Sequence, residues 1–179
     1  MPLPPTQYVP QLTNDRRPLV TWIVVVAIAL TVAGLVIGAP LAEANGQRTL
    51  AVAIYGAFSR LCHQLPERSF FIAGHQFAVC ARCTGLYFGF TVVTMCYPLV
   101  RALRRTDTPP RRWLFMAAVP LAIDFALGFF GIWENTHLSR FLTGALLGSV
   151  AVFYVMPGLL DPSLKEWRQL FSRKPVEIR

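Results

Sequence analysis

The sequence predicts an all-α fold: a four-helix transmembrane bundle with an amphipathic helix and loop on its outer face and an amphipathic tail in the cytoplasm. Two observations favour this class over a soluble fold. Of the 179 residues, 54% are hydrophobic and only 15% are charged, which is outside the usual range of a soluble domain. In addition, four long segments are nearly free of charge, and each is long enough to cross a hydrocarbon core of about 30 Å.

The four predicted spans cover residues 19–41, 76–100, 113–133 and 141–160. The first and fourth contain no charged residue, whereas the second contains Arg82 and the third contains Asp124. The first span is longer than the hydrophobic region of about 7–15 residues found in signal peptides. We therefore expect it to be a retained anchor, although a small-residue sequence at 42–44 resembles a cleavage site.

The segments outside the spans divide the chain further. Residues 49–61 are too few to cross a membrane, but their apolar side chains repeat with helical period, so we expect an amphipathic helix on the membrane or against the bundle. Ser163 and Glu166 form a capping box that opens an apolar stripe flanked by basic residues. The predicted organisation is a cytoplasmic segment 1–17, a membrane domain 18–160 and a basic tail 161–179 that lies on the inner leaflet.

The distribution of basic residues predicts the orientation. Twelve of the 17 Lys and Arg residues lie in the N-terminal segment, the end of span two with the loop after it, and the tail, whereas four lie in the other two loops. The positive-inside rule then places both termini in the cytoplasm of an inner-membrane protein. The net charge of +8 is mostly a topology pattern that also contacts anionic lipid heads. The predicted partner is the lipid bilayer, and nucleic-acid binding is not predicted.

The reactive side chains are concentrated in residues 62–85, on the predicted outer side. Cys80 and Cys83 are spaced i, i+3, so on a helix both sulfurs leave the same face. Cys62 follows the amphipathic helix, and a chain reversal through Gly74 can return it to that face. Because unprotected thiols tend to pair in an oxidising compartment, these cysteines need a metal, a functional disulfide or a structural role.

A tetrahedral zinc site needs four sulfur or nitrogen ligands. The favoured set is Cys62, His63, Cys80 and Cys83, with His75 as the alternative fourth ligand. Cys96 lies 16 residues beyond Cys80, roughly 24 Å along a helix, so it cannot join the site and is interpreted as a small packing residue.

Charges inside a membrane require a partner or a role. Arg82 and Asp124 can meet at a similar depth in an antiparallel helix pair, where a buried salt bridge would fix the helix register. Alternatively, the pair lines a cavity just beneath the cysteines, in which Asp124 carries protons and Arg82 lowers a thiol pKa. This alternative makes Cys80, Cys83, Asp124 and Arg82 the catalytic candidates. Two G-x-x-x-G pairs, Gly85 with Gly89 and Gly144 with Gly148, predict close contact between spans two and four.

Several of these residues carry a resemblance to a known family. They are Cys62-His63-Gln64, Arg68-Ser69-Phe70, Gly74, Cys80-Ala81-Arg82-Cys83-Thr84-Gly85, Asp124, and Arg140 with Thr143-Gly144. Across about residues 60–150 the chain resembles small bacterial and archaeal predicted membrane proteins known only as a domain of unknown function. The resemblance implies that Cys62, His63, Cys80, Cys83 and Asp124 are functional candidates, and it implies no particular reaction.

The architecture also resembles disulfide-forming membrane enzymes that pass electrons to quinone, including the vitamin K epoxide reductase type. Those enzymes add a second cysteine pair in an outer loop, whereas here only Cys62 remains, which counts against a full electron relay. Three function classes stay open at this stage. They are an outer-face metal site, most simply zinc; a quinone-linked thiol-disulfide oxidoreductase that exchanges at Cys80 and Cys83 with Cys62 as resolving thiol; and a non-catalytic subunit of a larger membrane complex.

Overall fold

The computed structural model describes residues 16–105 and 107–164 of the chain. Within them, the elements are α1 (Arg17–Ala44), α2 (Arg48–Ser59), a 3-10 turn (Pro66–Arg68), β1 (Phe71–Ile72), β2 (His75–Gln76), α3 (Ala81–Val100), α4 (Arg112–Phe129) and α5 (His137–Leu164). The only sheet in this part of the chain is the antiparallel hairpin of β1 and β2. The predicted helical fold class is confirmed.

Four helices, α1, α3, α4 and α5, are long and apolar enough to cross a membrane. The shortest, α4, has 18 residues and is therefore about 27 Å long, close to the thickness of a hydrocarbon core. The predicted short amphipathic segment corresponds to α2, whose buried Ala51, Ile54 and Phe58 lie on one helical face. This face packs on Val36 of α1, so α2 lies against the bundle.

Several element boundaries differ from the predicted spans. Helix α3 begins at Ala81, five residues after the predicted start, because residues 75–76 form β2. Helix α4 ends at Phe129, before a turn at Gly131 with φ of 66°. Hydropathy reports how apolar a segment is and not where a helix is capped, so it does not predict the residues at which these helices begin and end. Helix α5 is continuous through Leu164, and the rest of the predicted tail helix lies outside the described residues.

The closest helix contact in the bundle is between α3 and α5, as the glycine pairs predict. A Cβ atom at Gly85 or Gly89 would collide with the backbone of α5, at Phe141 or Ala145. The reciprocal glycines of α5, Gly144 and Gly148, would collide with the backbone of α3 in the same way. Glycine at these four positions therefore allows the two helix backbones to touch.

Helix α1 is joined to α3 by polar contacts as well as by packing. The Trp22 indole N–H donates a 2.8 Å hydrogen bond to the Thr94 carbonyl oxygen. The Thr91 hydroxyl donates a 3.2 Å hydrogen bond to the Ala29 carbonyl oxygen. Such side-chain bonds link helices where lipid offers no competing partner.

The bundle has two ends with different cores. The cysteine end consists of α2, the hairpin, the C-terminal parts of α1 and α4, and the N-terminal parts of α3 and α5. Its core includes Phe58, Cys62 and Val79. The distal end consists of the opposite helix ends, with a core of Tyr97, Val152, Met156 and Leu160.

Candidate metal centre

Three cysteines converge at the cysteine end. The sulfur atoms of Cys62, Cys80 and Cys83 all lie within 4.8 Å of one another. Cys62 is buried, the other two are half-buried, and none of the three is in a disulfide. The fold thus joins Cys62 to two cysteines that lie 18 and 21 positions further along the chain.

The approach of Cys62 depends on a reversal directly after it. The Cys62 N–H continues the helical pattern by donating to the Phe58 carbonyl oxygen at 2.9 Å. Gln64 then takes a left-handed conformation with φ of 51°, which is strained for a residue with a side chain. Its side-chain amide donates to the carbonyl oxygens of Tyr55 at 2.9 Å and Ala78 at 2.7 Å. These two bonds link the reversal to α2 and to the segment between β2 and Cys80.

The hairpin completes the return of the chain. Ala73 and Gly74, with φ of 51° and 81°, form the two-residue turn between β1 and β2. Positive φ at both turn residues matches the twist of paired strands. The Ala78 N–H then donates to the Val36 carbonyl oxygen of α1 at 3.2 Å, which fixes the chain just before Cys80. The predicted reversal through Gly74 is confirmed.

The placement of Cys80 on a helix is wrong. Cys80 is the N-cap of α3, with extended backbone angles of φ −65° and ψ 160°. Cys83 is the third helical residue, so the two thiols occupy the positions that face each other in a capping box. The expected proximity of the sulfurs is therefore achieved at the helix start and not along a helix face.

The local electrostatics favour a thiolate at Cys62. The Cys80 backbone N–H donates to the Cys62 Sγ at 3.2 Å. Hydrogen bonds from the thiols of Cys80 and then Cys83 lower the pKa of Cys62 from its ordinary value of 9.0. The N-terminus of α3 adds a positive partial charge at the same place. Because thiolates are the form that binds metal, the cluster is suited to a soft or borderline ion.

The histidines lie around the cluster at greater distance. Among the described residues, no histidine nitrogen joins the three sulfurs within 4.8 Å. His63 is exposed and lines the neighbouring cavity, whereas His75 Nδ1 lies 3.7 Å from a Glu43 carboxylate oxygen. The His137 ring centroid lies 5.8 Å from that of Phe70. A ligand role for His63 or His75 stays a prediction.

The two intramembrane charges form the ion pair that their depth predicts. Arg82 Nη2 donates to the Asp124 carboxylate, and the Ser139 hydroxyl donates to its other oxygen at 2.8 Å. The Asn135 side-chain amide donates to the backbone carbonyl oxygen of Asp124. The Phe125 ring centroid lies 5.6 Å from the Arg82 guanidinium carbon. These contacts connect α3, α4 and α5 at the cysteine end.

A cavity of about 370 Å³ adjoins the cluster. It is lined by all three cysteines and by His63, Arg68, Arg82, Asn135 and Arg140, together with apolar residues. The cavity that the sequence predicts beneath the cysteines is present, and Arg82 lines it, whereas Asp124 is not among its lining residues. The positioning role of Gln64 was not predicted. The only sequence feature that could have indicated this role is the polar residue directly after Cys62-His63, because no local pattern predicts a left-handed backbone at a glutamine.

Cys96 does not join the cluster, as expected, but its side chain is exposed, so its interpretation as a packing residue is wrong.

Comparisons with known proteins agree with the membrane character of the fold. The chain is 36% identical over 124 residues to an uncharacterized protein of Methanocaldococcus jannaschii, covering 69% of this chain and 80% of that one. It is 36% identical over 92 residues to an uncharacterized protein of Methanothermobacter thermautotrophicus, covering 51% and 80%. No solved structure matches. The model of the predicted membrane protein family DUF2085 matches residues 62–154, from the first cluster cysteine into α5, and the chain therefore belongs to that family.

Proposed function

We propose that this protein crosses the inner membrane four times, with both termini in the cytoplasm, and binds one zinc ion at the outer end of the bundle. The ligands are Cys62, Cys80 and Cys83, and the fourth position is taken by His63 or left open to the cavity. The observation that carries the proposal is the convergence of three sulfur atoms within 4.8 Å of one another.

The geometry needs only a small contraction to hold zinc. A tetrahedral ion with Zn–S distances of about 2.3 Å places its sulfurs about 3.8 Å apart. The backbone on both sides of the cluster is held by hydrogen bonds of Gln64 and Ala78, so rotations of the thiol side chains supply the change. The Cys80 N–H that faces the Cys62 sulfur would remain as an outer hydrogen bond to a bound thiolate.

The fourth position separates a structural site from a catalytic one. A zinc ion closed by four protein ligands stabilises the fold, whereas an open position admits water or a substrate. His63 lies on the cavity wall beside the cysteines, so it can approach the ion from the cavity side. With His63 turned away, the same wall would leave the ion open to the cavity.

A thiol-disulfide oxidoreductase is the second candidate, and one observation favours it. The lowered pKa of Cys62 gives that thiol the thiolate character of an attacking or resolving cysteine. Against a complete relay, the cluster has three cysteines and not two pairs. Bound zinc would also keep three adjacent thiols from pairing in an oxidising compartment.

Metal content and free-thiol count on the detergent-purified protein test the proposal. We expect one zinc per chain and protection of three thiols from a maleimide until a chelator is added. Zinc occupancy should fall in His63→Ala and stay unchanged in His137→Ala, a histidine at the same end that packs on Phe70.

Each other outcome has a defined meaning. Full occupancy in His63→Ala moves the fourth ligand to His75, and full occupancy in His75→Ala as well leaves a three-cysteine open site. Absence of metal together with a disulfide that dithiothreitol reduces would replace the zinc proposal with the oxidoreductase. Absence of metal with three reactive free thiols would reject both functions.

A further inference from the structure

Three arginines line the cavity beside the cysteine cluster. They are Arg68, Arg82 and Arg140. Each comes from a different element: the 3-10 turn, the first turn of α3 and the first turn of α5. The volume of about 370 Å³ falls in the range of small-ligand sites. The chain thus brings three cations to a single concave site through its tertiary fold.

Two of these three arginines have a carboxylate partner, and neither carboxylate lines the cavity. Asp124 pairs with Arg82, and Glu67 lies 3.8 Å from Arg68 with both side chains more than half exposed. For Arg140, no ion pair or side-chain hydrogen bond is found within residues 16–105 and 107–164. Its guanidinium is close enough to Arg68 and Arg82 to be repelled by them, and Asp124, which attracts it, is already paired with Arg82.

Arg82 also keeps a donor without an acceptor. Its Nη2 binds Asp124, but its Nε is buried and has no hydrogen-bond partner among the described residues. A buried donor on a cation is costly to leave unpaired, and more so at membrane depth. An anion in the cavity would accept from donors that the protein itself leaves unsatisfied.

We infer that this cavity binds a phosphate group, with Arg140 as its main contact and Arg68 and Arg82 at its edges. Guanidinium forks match the oxygen spacing of phosphate. Three such groups from three elements suit a tetrahedral anion better than a carboxylate, which offers two oxygens in one plane. The cysteine cluster has a single negative charge in either state, from one thiolate at Cys62 or from zinc held by three thiolates, and three arginines face it across a cavity that no described carboxylate lines.

Two sources share this phosphate chemistry: the headgroup of an anionic phospholipid and a free phosphate ester. The apolar part of the cavity wall includes Leu61 and Phe129, whose side chains are exposed at the cysteine end of the bundle. These residues can contact the glycerol and acyl chains of a lipid or the apolar part of a small ester. The site goes beyond the proposed zinc function, since none of its phosphate contacts is a zinc ligand.

Calorimetric titration of the purified protein with inorganic phosphate tests the inference. We expect one saturable site whose affinity falls by about tenfold in Arg140→Gln, because a charge-assisted hydrogen bond is lost. Arg68→Gln, a change at the half-exposed edge of the cavity that does not threaten folding, should weaken binding severalfold. The matched control is Arg60→Gln, since Arg60 is an exposed outer-side arginine that does not line the cavity.

A second arm identifies the source of the phosphate. The protein is reconstituted in vesicles of phosphatidylglycerol and phosphatidylcholine, and native mass spectrometry counts the phosphatidylglycerol that stays bound. Retention that depends on Arg140 assigns the site to a lipid headgroup, whereas phosphate binding without retention assigns it to a free ester.

Two results would overturn the inference. One is the absence of Arg140-dependent binding in both arms, and the other is an equal loss in Arg60→Gln, which would show a general charge effect. Zinc content measured on the same samples keeps the two proposals apart. Full zinc occupancy without phosphate binding rejects only the phosphate site, and phosphate binding without zinc rejects only the metal site.

Discussion

The cysteine end and the distal end of the bundle use the same residue types in opposite settings. At the cysteine end, three cysteines meet, and the ion pair of Arg82 with Asp124 is only 22% and 10% exposed. At the distal end, Cys96 is exposed, and Arg101 pairs at 2.7 Å with Asp107, whose side chain is 74% exposed. The comparison shows that burial and the number of partners, and not residue type, distinguish a candidate site.

The difference arises from the connections between helices. The chain between α1 and α3 contains α2, the 3-10 turn and the hairpin, and it folds back to bury Cys62 among Phe58 and Val79. The chain between α3 and α4 is short and contributes no buried residue of its own in its described part. A cavity therefore forms where a long connection covers the helix ends.

The largest expected difference between the two ends is their accessibility from outside the cell. Asn45→Cys at the cysteine end should react with an impermeant thiol reagent in intact cells, above the wild-type background. Asp107→Cys at the distal end should react only after the membrane is permeabilised, since twelve basic residues are predicted on that side. Labelling of Asp107→Cys in intact cells would reverse the orientation and place the cluster in a reducing compartment.

The next effect separates the clustered cysteines from the distal one. Cys62→Ser should weaken zinc binding by more than about 100-fold, because loss of an outer-shell partner alone costs about 10–100-fold. Cys96→Ser should leave zinc binding unchanged, since Cys96 is not in the sulfur cluster. Competition with a colorimetric chelator measures both affinities. Equal zinc affinity in Cys62→Ser and the wild type would show that the cluster is not the metal site.

The smallest expected effect compares the two ion pairs. Asp124→Asn should lower the free energy of unfolding by about 3 kcal/mol, because it leaves Arg82 buried without a counter-charge. Asp107→Asn should lower it by less than about 1 kcal/mol, as for other exposed pairs. Unfolding in mixed micelles with increasing dodecyl sulfate measures both changes, and equal losses would contradict the difference in burial.

The pH of that comparison matters for the distal pair. The hydrogen bond from Arg101 lowers the pKa of Asp107 below its ordinary value of 3.8. A carboxylate with a lowered folded-state pKa stabilises the fold above its ordinary pKa, and this contribution is lost as the pH falls through the lowered value. At pH 7 the carboxyl group of Asp107 is therefore charged, and the measured loss in Asp107→Asn reports on the intact ion pair. The contribution of this pair to the free energy of unfolding should disappear only in strong acid.

The sequence by itself determined the membrane-spanning helices and two of their contacts. Hydropathy is a sum over about 20 neighbouring residues, so it does not depend on how the helices pack. The contact of α3 with α5 follows from glycine spacing, and the pairing of Arg82 with Asp124 follows from the cost of an unpaired charge in a membrane. Each of these inferences needs only a local pattern and the properties of the bilayer.

Only the tertiary structure decided how the site is assembled. The position of Cys62 depends on left-handed backbone at Gln64, and that of Cys80 depends on its place as a helix cap. The cavity brings together Arg68 and Arg140, which lie 72 positions apart in the chain. Strained backbone and distant neighbours are maintained by packing and hydrogen bonds between elements, which leave no periodic pattern in the sequence.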